Sequence, residues 1–424
     1  MSHHLSRCFL PTLLLLAPAC SDGGAAVPTS PSGAPAAAAL TAPPLQPFQL
    51  ELLRLAFRAA SAFPLDPHGK NRSRAQEVVV AGCFQIEQPQ LALELAQGIA
   101  DWRRGCAEAD YAGFCARRGQ RDEALAFVAR AEKFATELAA GPNAQLWRRD
   151  LILAKLARAC RLLGDPARAD QLAARIDAAS SNAVDPDQAS TLADRALLLT
   201  EAEVGNELAA MHAAFPTMSL GQQHTAVLTL LRVHERFFDV AAHRTVIEQR
   251  IAVGYDKLPP LIRLSALAQL AATCLEKNDQ ATARSLLATA RRIAAAHTWR
   301  PADQVPQLAR LAELRARAGE VDEARADAEA AFAIYHRERD SIVNIDRAEA
   351  LRPLALAWHA LGETATADGM FAQALEEAME NPNSRPRADD LVDTAVVMAT
   401  HRIEPSPQLW TRMREICEGL GNPW

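Results

Sequence analysis

This 424-residue chain has no surplus of positive charge: 45 Lys+Arg stand against 51 Asp+Glu, a formal net charge of −6. A nucleic-acid binder normally presents a basic face, so no nucleic-acid partner is expected. No apolar run approaches the roughly 18 residues that a membrane-spanning helix needs. Among the eight cysteines no two show C-x-x-C spacing, which removes the common zinc and thioredoxin-like redox motifs. There is no H-E-x-x-H, no G-x-S-x-G, no G-x-x-x-x-G-K-[ST], and no G-x-G-x-x-G opening a helix after a strand. His224, His234 and His243 are spaced by ten and nine residues, and His234-Glu235-Arg236 reads as a solvated or capping cluster near a helix end. The acid pairs Glu376–Glu377 and Asp389–Asp390 read as solvated helix exteriors. No catalytic residue, metal site or cofactor is expected. The chain does have enough apolar residues, 49 %, to bury a core.

The first residues form their own unit. A polar start carrying Arg7 precedes a short apolar stretch from Cys8 to Leu16, then Ala17-Pro18-Ala19-Cys20. That order is a secretory signal peptide, over 1–19. It resembles a bacterial lipoprotein signal, in which the cysteine after the cleavage site carries the lipid; Cys20 is that residue here. The family's Leu three places before the cysteine is Ala17 in this chain, with Leu16 one step early, and Ala17-Pro18-Ala19 also fits ordinary signal cleavage. The expectation is membrane attachment through Cys20 at the cell envelope, on the outer membrane or periplasmic face in a Gram-negative host, and otherwise secretion. Residues 20–46 are almost wholly Ala, Pro, Gly, Ser and Thr; Pro28, Pro31, Pro35, Pro43 and Pro44 break any helix, so this is read as a disordered linker.

From Phe48 onward apolar residues recur at i, i+3, i+4 and i+7. Five segments align on a short polar turn: Gly119–Ala124, Gly164–Ala169, Asn278–Ala283, Gly319–Ala324 and Gly362–Ala367. Seven residues before each turn stand Ala112, Ala157, Ala271, Ala312 and Ala355, each preceded by Leu or, once, Tyr111. Five residues after it stand Ala124, Ala169, Ala283, Ala324 and Ala367; twelve after it, Ala131, Ile176, Ala290, Ala331 and Ala374. Gly or Asn at the turn can take the left-handed conformation that ends a helix, and small residues let two helices approach closely. Fainter turns fall at Ile86–Ala92 and Phe237–Ala242, and Pro89, Pro166, Pro186, Pro260, Pro301 and Pro386 mark helix starts, two of them behind the N-caps Asp165 and Asp185.

This pattern resembles the tetratricopeptide repeat over roughly Asn71 to Gly419, with turns 41 to 45 residues apart in the clear cases rather than the family's 34. The expected fold is an all-α, elongated solenoid of about nine antiparallel helix pairs over residues 47–424, preceded by a leading helix near Phe48–Phe63. Cys83, Cys115, Cys160 and Cys274 share one helix position, so they are expected to be separate buried thiols: neighbouring helices stand about 9–10 Å apart, beyond disulfide reach. Trp299, Trp410 and Trp424 are read as packing or end-capping residues.

The resemblance implies a concave groove lined by the first helix of each pair. Carried over, its lining is Ala154, Arg158 and Arg161; Ala268, Ala272 and Leu275; Ala309, Glu313 and Ala316; Arg352, Leu356 and His359. Arg158, Arg161, Glu313, Arg352 and His359 are its candidate partner-binding residues. The expected function is a non-enzymatic scaffold that holds a protein or peptide in that groove. An enzyme, or a glycan- or peptide-binding domain, built on an α-solenoid is the alternative, as is a cytoplasmic regulator should the first nineteen residues be retained.

Overall fold

The computed structural model describes residues 44–140, 146–176, 199–255 and 258–424. The expected signal peptide, Cys20, nearly all of the linker, and the Asp185-Pro186 helix start lie outside the described residues. Among the described residues there are eighteen α-helices and no strand: α1 (Pro47–Ala62), α2 (Gly69–Gln85), α3 (Pro89–Ala96), α4 (Arg103–Arg117), α5 (Arg121–Ala139), α6 (Leu146–Leu162), α7 (Pro166–Ala174), α8 (Glu201–Ala214), α9 (Leu220–Arg236), α10 (Ala241–Gln249), α11 (Pro260–Glu276), α12 (Gln280–Ala296), α13 (Pro301–Arg317), α14 (Val321–Glu338), α15 (Asn344–Ala360), α16 (Thr364–Met379), α17 (Ser384–Thr400) and α18 (Pro407–Glu418). No described helix is long and apolar enough to cross a membrane.

The turns work as their sequence requires. Gly119, Gly164, Gly319 and Gly362 have φ of 70°, 73°, 80° and 81°, and Asn278 and Glu87 take 61° and 58°. Each is the left-handed residue that stops one helix before the next begins. Asp165 caps α7 by accepting a bond from the Arg168 amide at 3.0 Å, with Pro166 in the first turn. All fourteen alanines of the three columns have no exposed surface, and Ile176 is 8 % exposed. Their size sets how closely the two helices of a hairpin, and successive hairpins, come together.

Successive first helices touch one another: α9–α11, α11–α13, α13–α15, α15–α17, α2–α4 and α4–α6. The second helices lie behind them and touch one another chiefly near the C-terminal end, where α18 meets α16 and α1. Curvature therefore puts the first helices on the inside, and burial agrees. Inner α4 buries twelve of its fifteen residues, whereas outer α5 buries four of nineteen.

The all-α solenoid of packed helix pairs is as the sequence implies, but its elongated form is corrected here. The first and last helices of the described array meet. The leading helix α1 packs along α17 as closely as two helices of one hairpin do, and α17 also touches α2. The closing pair is thus composite, its inner helix from the end of the chain and its outer helix from the start. Leu52, Leu53, Leu55, Ala56, Ala59 and Ala60 share one core with Leu391, Val392, Ala395, Val396 and Ala399. Gln49 Nε2 donates to the Ala399 carbonyl at 2.8 Å across this seam. Gly82 is required there, because a Cβ at that site would lie 2.9 Å from Val396 Cγ1. Phe63 meets Trp424 with ring centroids 5.1 Å apart, so that tryptophan does cap an end. Each fully buried leucine of the seam contributes about 1.5–3 kcal/mol.

Cys83, Cys106, Cys115, Cys160 and Cys274 are buried, Cys417 is half-buried, and all six are free thiols.

Candidate functional site

The C-terminal ends of the inner helices, together with the turns that follow them, form one rim of the ring. Arg117 ends α4, Arg158 and Arg161 lie in the last turns of α6, and Arg236 ends α9. Glu276 closes α11; Arg310, Glu313 and Arg317 belong to α13, His359 to α15, and His401 follows α17. Positive side chains at these positions are favoured by the helix carbonyl ends.

Most of the rim charges are matched. Arg118 holds Glu87 at 3.0 Å, Arg161 holds Asp170 at 2.7 Å, and Arg232 stands 3.6 Å from Glu235. Glu313 lies between Arg310 at 2.5 Å and Arg317 at 3.3 Å. Arg117, Arg158 and Arg236 have no carboxylate within ion-pair distance among the described residues. Arg117 instead lies near the Phe114 ring, and Arg236 over Phe237.

Arg158 adds repulsion at both Arg117 and Arg236. Loss of hydration, and then the adjacent Arg158 charge, lower the Arg117 guanidinium to about 10. Arg236 falls to about 10 for the same first reason, with Arg158 and Arg161 adding repulsion. Both side chains reach water at the surface, although the surrounding protein removes part of their hydration. They remain charged at neutral pH. His401 is likewise exposed but pushed down, chiefly by lost hydration, while Glu313 partly opposes that shift. Burial pushes Glu276 up to about 7. The rim is therefore a cationic arc inside a protein whose net charge is −6, a concave arrangement that concentrates anions.

The opposite ends of the inner helices carry acids. Glu349 on α15 shares its surroundings with Asp346, Asp390 and Asp393, and burial pushes it up to about 7. Unfolded, this carboxyl would ionise in the ordinary range near 4.5. Between that range and about 7 the folded protein holds a proton that the unfolded chain has lost, so stability falls as pH rises through the window. A Glu349→Gln protein should show a smaller loss of unfolding temperature than wild type between pH 5 and pH 8 in thermal scans at matched ionic strength. Equal slopes would count against the assignment.

The five residues carried over as partner-binding fall into two groups. Arg158 stands half-buried on the rim, and His359 is half-buried with Nδ1 lacking a hydrogen-bond partner. Arg161 is on the rim but engaged by Asp170. Glu313 is 3 % exposed and Arg352 is 8 % exposed. Arg352 donates to Asp390 at 2.7 Å and Asp393 at 3.3 Å, and so joins α15 to α17. Ala154, Ala268, Ala272 and Ala309 are buried against adjacent inner helices rather than lining a groove.

Three other readings are corrected. His234 is neither solvated nor a cap: it is 1 % exposed and bonded through Nε2 to Glu248 at 2.9 Å. Within each acid pair one member turns inward, since adjacent helix positions face about 100° apart. Glu377 is 4 % exposed and takes both Arg339 nitrogens at 2.7 Å; Asp390 is 6 % exposed. The cationic arc itself escaped sequence reading because its members are far apart in the chain; only their shared place at inner-helix ends could have signalled it. No protein-family model matches this chain, and no curated protein matches it in sequence.

Proposed function

We propose that the chain is a non-enzymatic binding scaffold built from tetratricopeptide-like hairpins, exported and lipid-anchored at the cell envelope through Cys20, and that it grips an acidic peptide segment of a partner protein at the rim. The reading rests on Arg117, Arg158 and Arg236, three cations at the rim without a carboxylate partner among the described residues, in a protein of net charge −6. Arginine forks suit carboxylate side chains, and a row of them suits an extended acidic segment.

The test is titration of a fluorescent oligo-aspartate peptide into residues 44–424. The wild-type protein should bind, with affinity falling as salt rises. Reversal of Arg117, Arg158 and Arg236 to Glu should weaken binding by about tenfold or more, roughly 1.4 kcal/mol at least. Reversal of Arg337, exposed on outer helix α14, should leave it unchanged. Equal affinity in wild type and the triple variant would remove the rim from the account. The mass of the mature N-terminus tests the anchor separately: an acylated Cys20 supports it, and an intact Met1 overturns it.

The enzyme reading has one observation in its favour. Glu276, at about 7, titrates where a general acid or base works best. Turnover of any peptide or glycan that is lost in Glu276→Gln, while anion binding persists, would move the assignment there.

A further inference from the structure

We propose that His234, Glu248 and Cys274 form a divalent metal site of the zinc class, which clamps one hairpin of the ring to the next. The three come from consecutive helices: His234 from inner α9, Glu248 from outer α10, and Cys274 from the next inner helix, α11. Their ligand atoms all lie within 4.8 Å of one another. His234 Nε2 is 2.9 Å from Glu248 Oε1, and Cys274 Sγ is 3.8 Å from the same oxygen.

Those separations fit a tetrahedral ion. Zinc bonds of about 2.0–2.2 Å to nitrogen and oxygen and about 2.3 Å to sulfur put neighbouring ligands roughly 3.3–3.5 Å apart. Two of the separations bracket that range and the third is no more than 4.8 Å, so side-chain shifts on the order of 1 Å would complete the geometry. Imidazole, carboxylate and thiolate together are a borderline-soft donor set that suits zinc better than magnesium or calcium.

The same helix position in other hairpins carries Cys83, Cys115 and Cys160, yet this is the one such metal-ligating group among the described residues. Charge is also accommodated. A thiolate and a carboxylate neutralise a divalent ion, while Arg244, 3.7 Å from Glu248, has Asp279 at 3.3 Å as its other partner. On binding, the thiol proton leaves to solvent. The ring proton of His234 moves to Nδ1, which has no hydrogen-bond partner here. Three protein ligands leave a fourth position for water, reached from the side of Glu248, because Cys274 and His234 are 0 % and 1 % exposed.

The experiment is a titration of the metal-free protein with Co(II) and then Zn(II), followed by absorption and thermal unfolding. One equivalent of cobalt should give a thiolate-to-metal charge-transfer band in the near ultraviolet, which zinc then erases. Zinc should raise the unfolding temperature. Cys274→Ser should lose the band, and zinc affinity should fall by more than about tenfold in both Cys274→Ser and Glu248→Gln. Glu248→Gln preserves side-chain volume and serves if the cysteine variant does not fold, as judged by circular dichroism. Absence of the band in the wild-type protein overturns the proposal. So does a band that survives in Cys274→Ser, which would place the metal on another thiol.

Discussion

Replacing Leu53 by Asp should open the ring. Leu53 has no exposed surface and lies in the seam core on α1, with Cδ2 3.7 Å from where a Cβ on Gly82 would stand. The substitution removes a buried aliphatic side chain and leaves a carboxyl with no partner among apolar neighbours. Together these cost about 5 kcal/mol or more. The damage falls on an interface that no peptide bond reinforces, since α1 and α17 come from opposite ends of the chain. The other hairpins keep their own cores, so the helical circular dichroism signal should largely persist while the radius of gyration from solution scattering increases. Protease should cut within 384–400 first. A variant as compact as wild type would mean that α1 is not what closes the ring.

Replacing Arg352 by Ala should be the most damaging change at a charged position. The guanidinium is 8 % exposed and donates to Asp390, itself 6 % exposed, and to Asp393. Burial already pushes the Asp393 carboxyl up, and Arg352 is the charge that opposes it. Loss of the arginine leaves acids uncompensated in a poorly hydrated place, a change that typically costs about 3–5 kcal/mol. The midpoint of urea unfolding should fall accordingly, and Asp390→Asn in the same protein should recover part of the loss. A loss below about 1 kcal/mol would show that water screens the pair as it does a surface bridge. The same comparison separates structure from binding: Arg352→Ala should alter stability without altering oligo-aspartate affinity in the fraction that remains folded.

The repeat was legible because its physics is local. A left-handed Gly or Asn, a proline in a first turn and alanine at fixed offsets each act within one hairpin, and Gly119, Pro166 and Ala157 do what their spacing implies. Closure was not legible. It depends on a rotation summed over the whole array, and no single residue encodes that angle. Gly82 hints at it only once Val396 is known to lie opposite. Clustered chemistry was hidden for a related reason. His234, Glu248 and Cys274 stand 14 and 26 residues apart in sequence and meet only because three successive helices pack. Asp389 and Asp390 look alike in sequence, but they point in different directions from one helix, and one of them meets Arg352.

The composite closing pair also imposes an order on biosynthesis. Gln49 and its bonding partner Ala399 are 350 residues apart, so a ribosome makes the first strut of this hoop long before the second exists. Until residues 384–400 have been made, the side of residues 47–62 that packs on α17 stays uncovered, with α2 as the neighbour already present. Any product cut short before residue 384 leaves that face bare, for a chaperone or a quality-control protease to recognise.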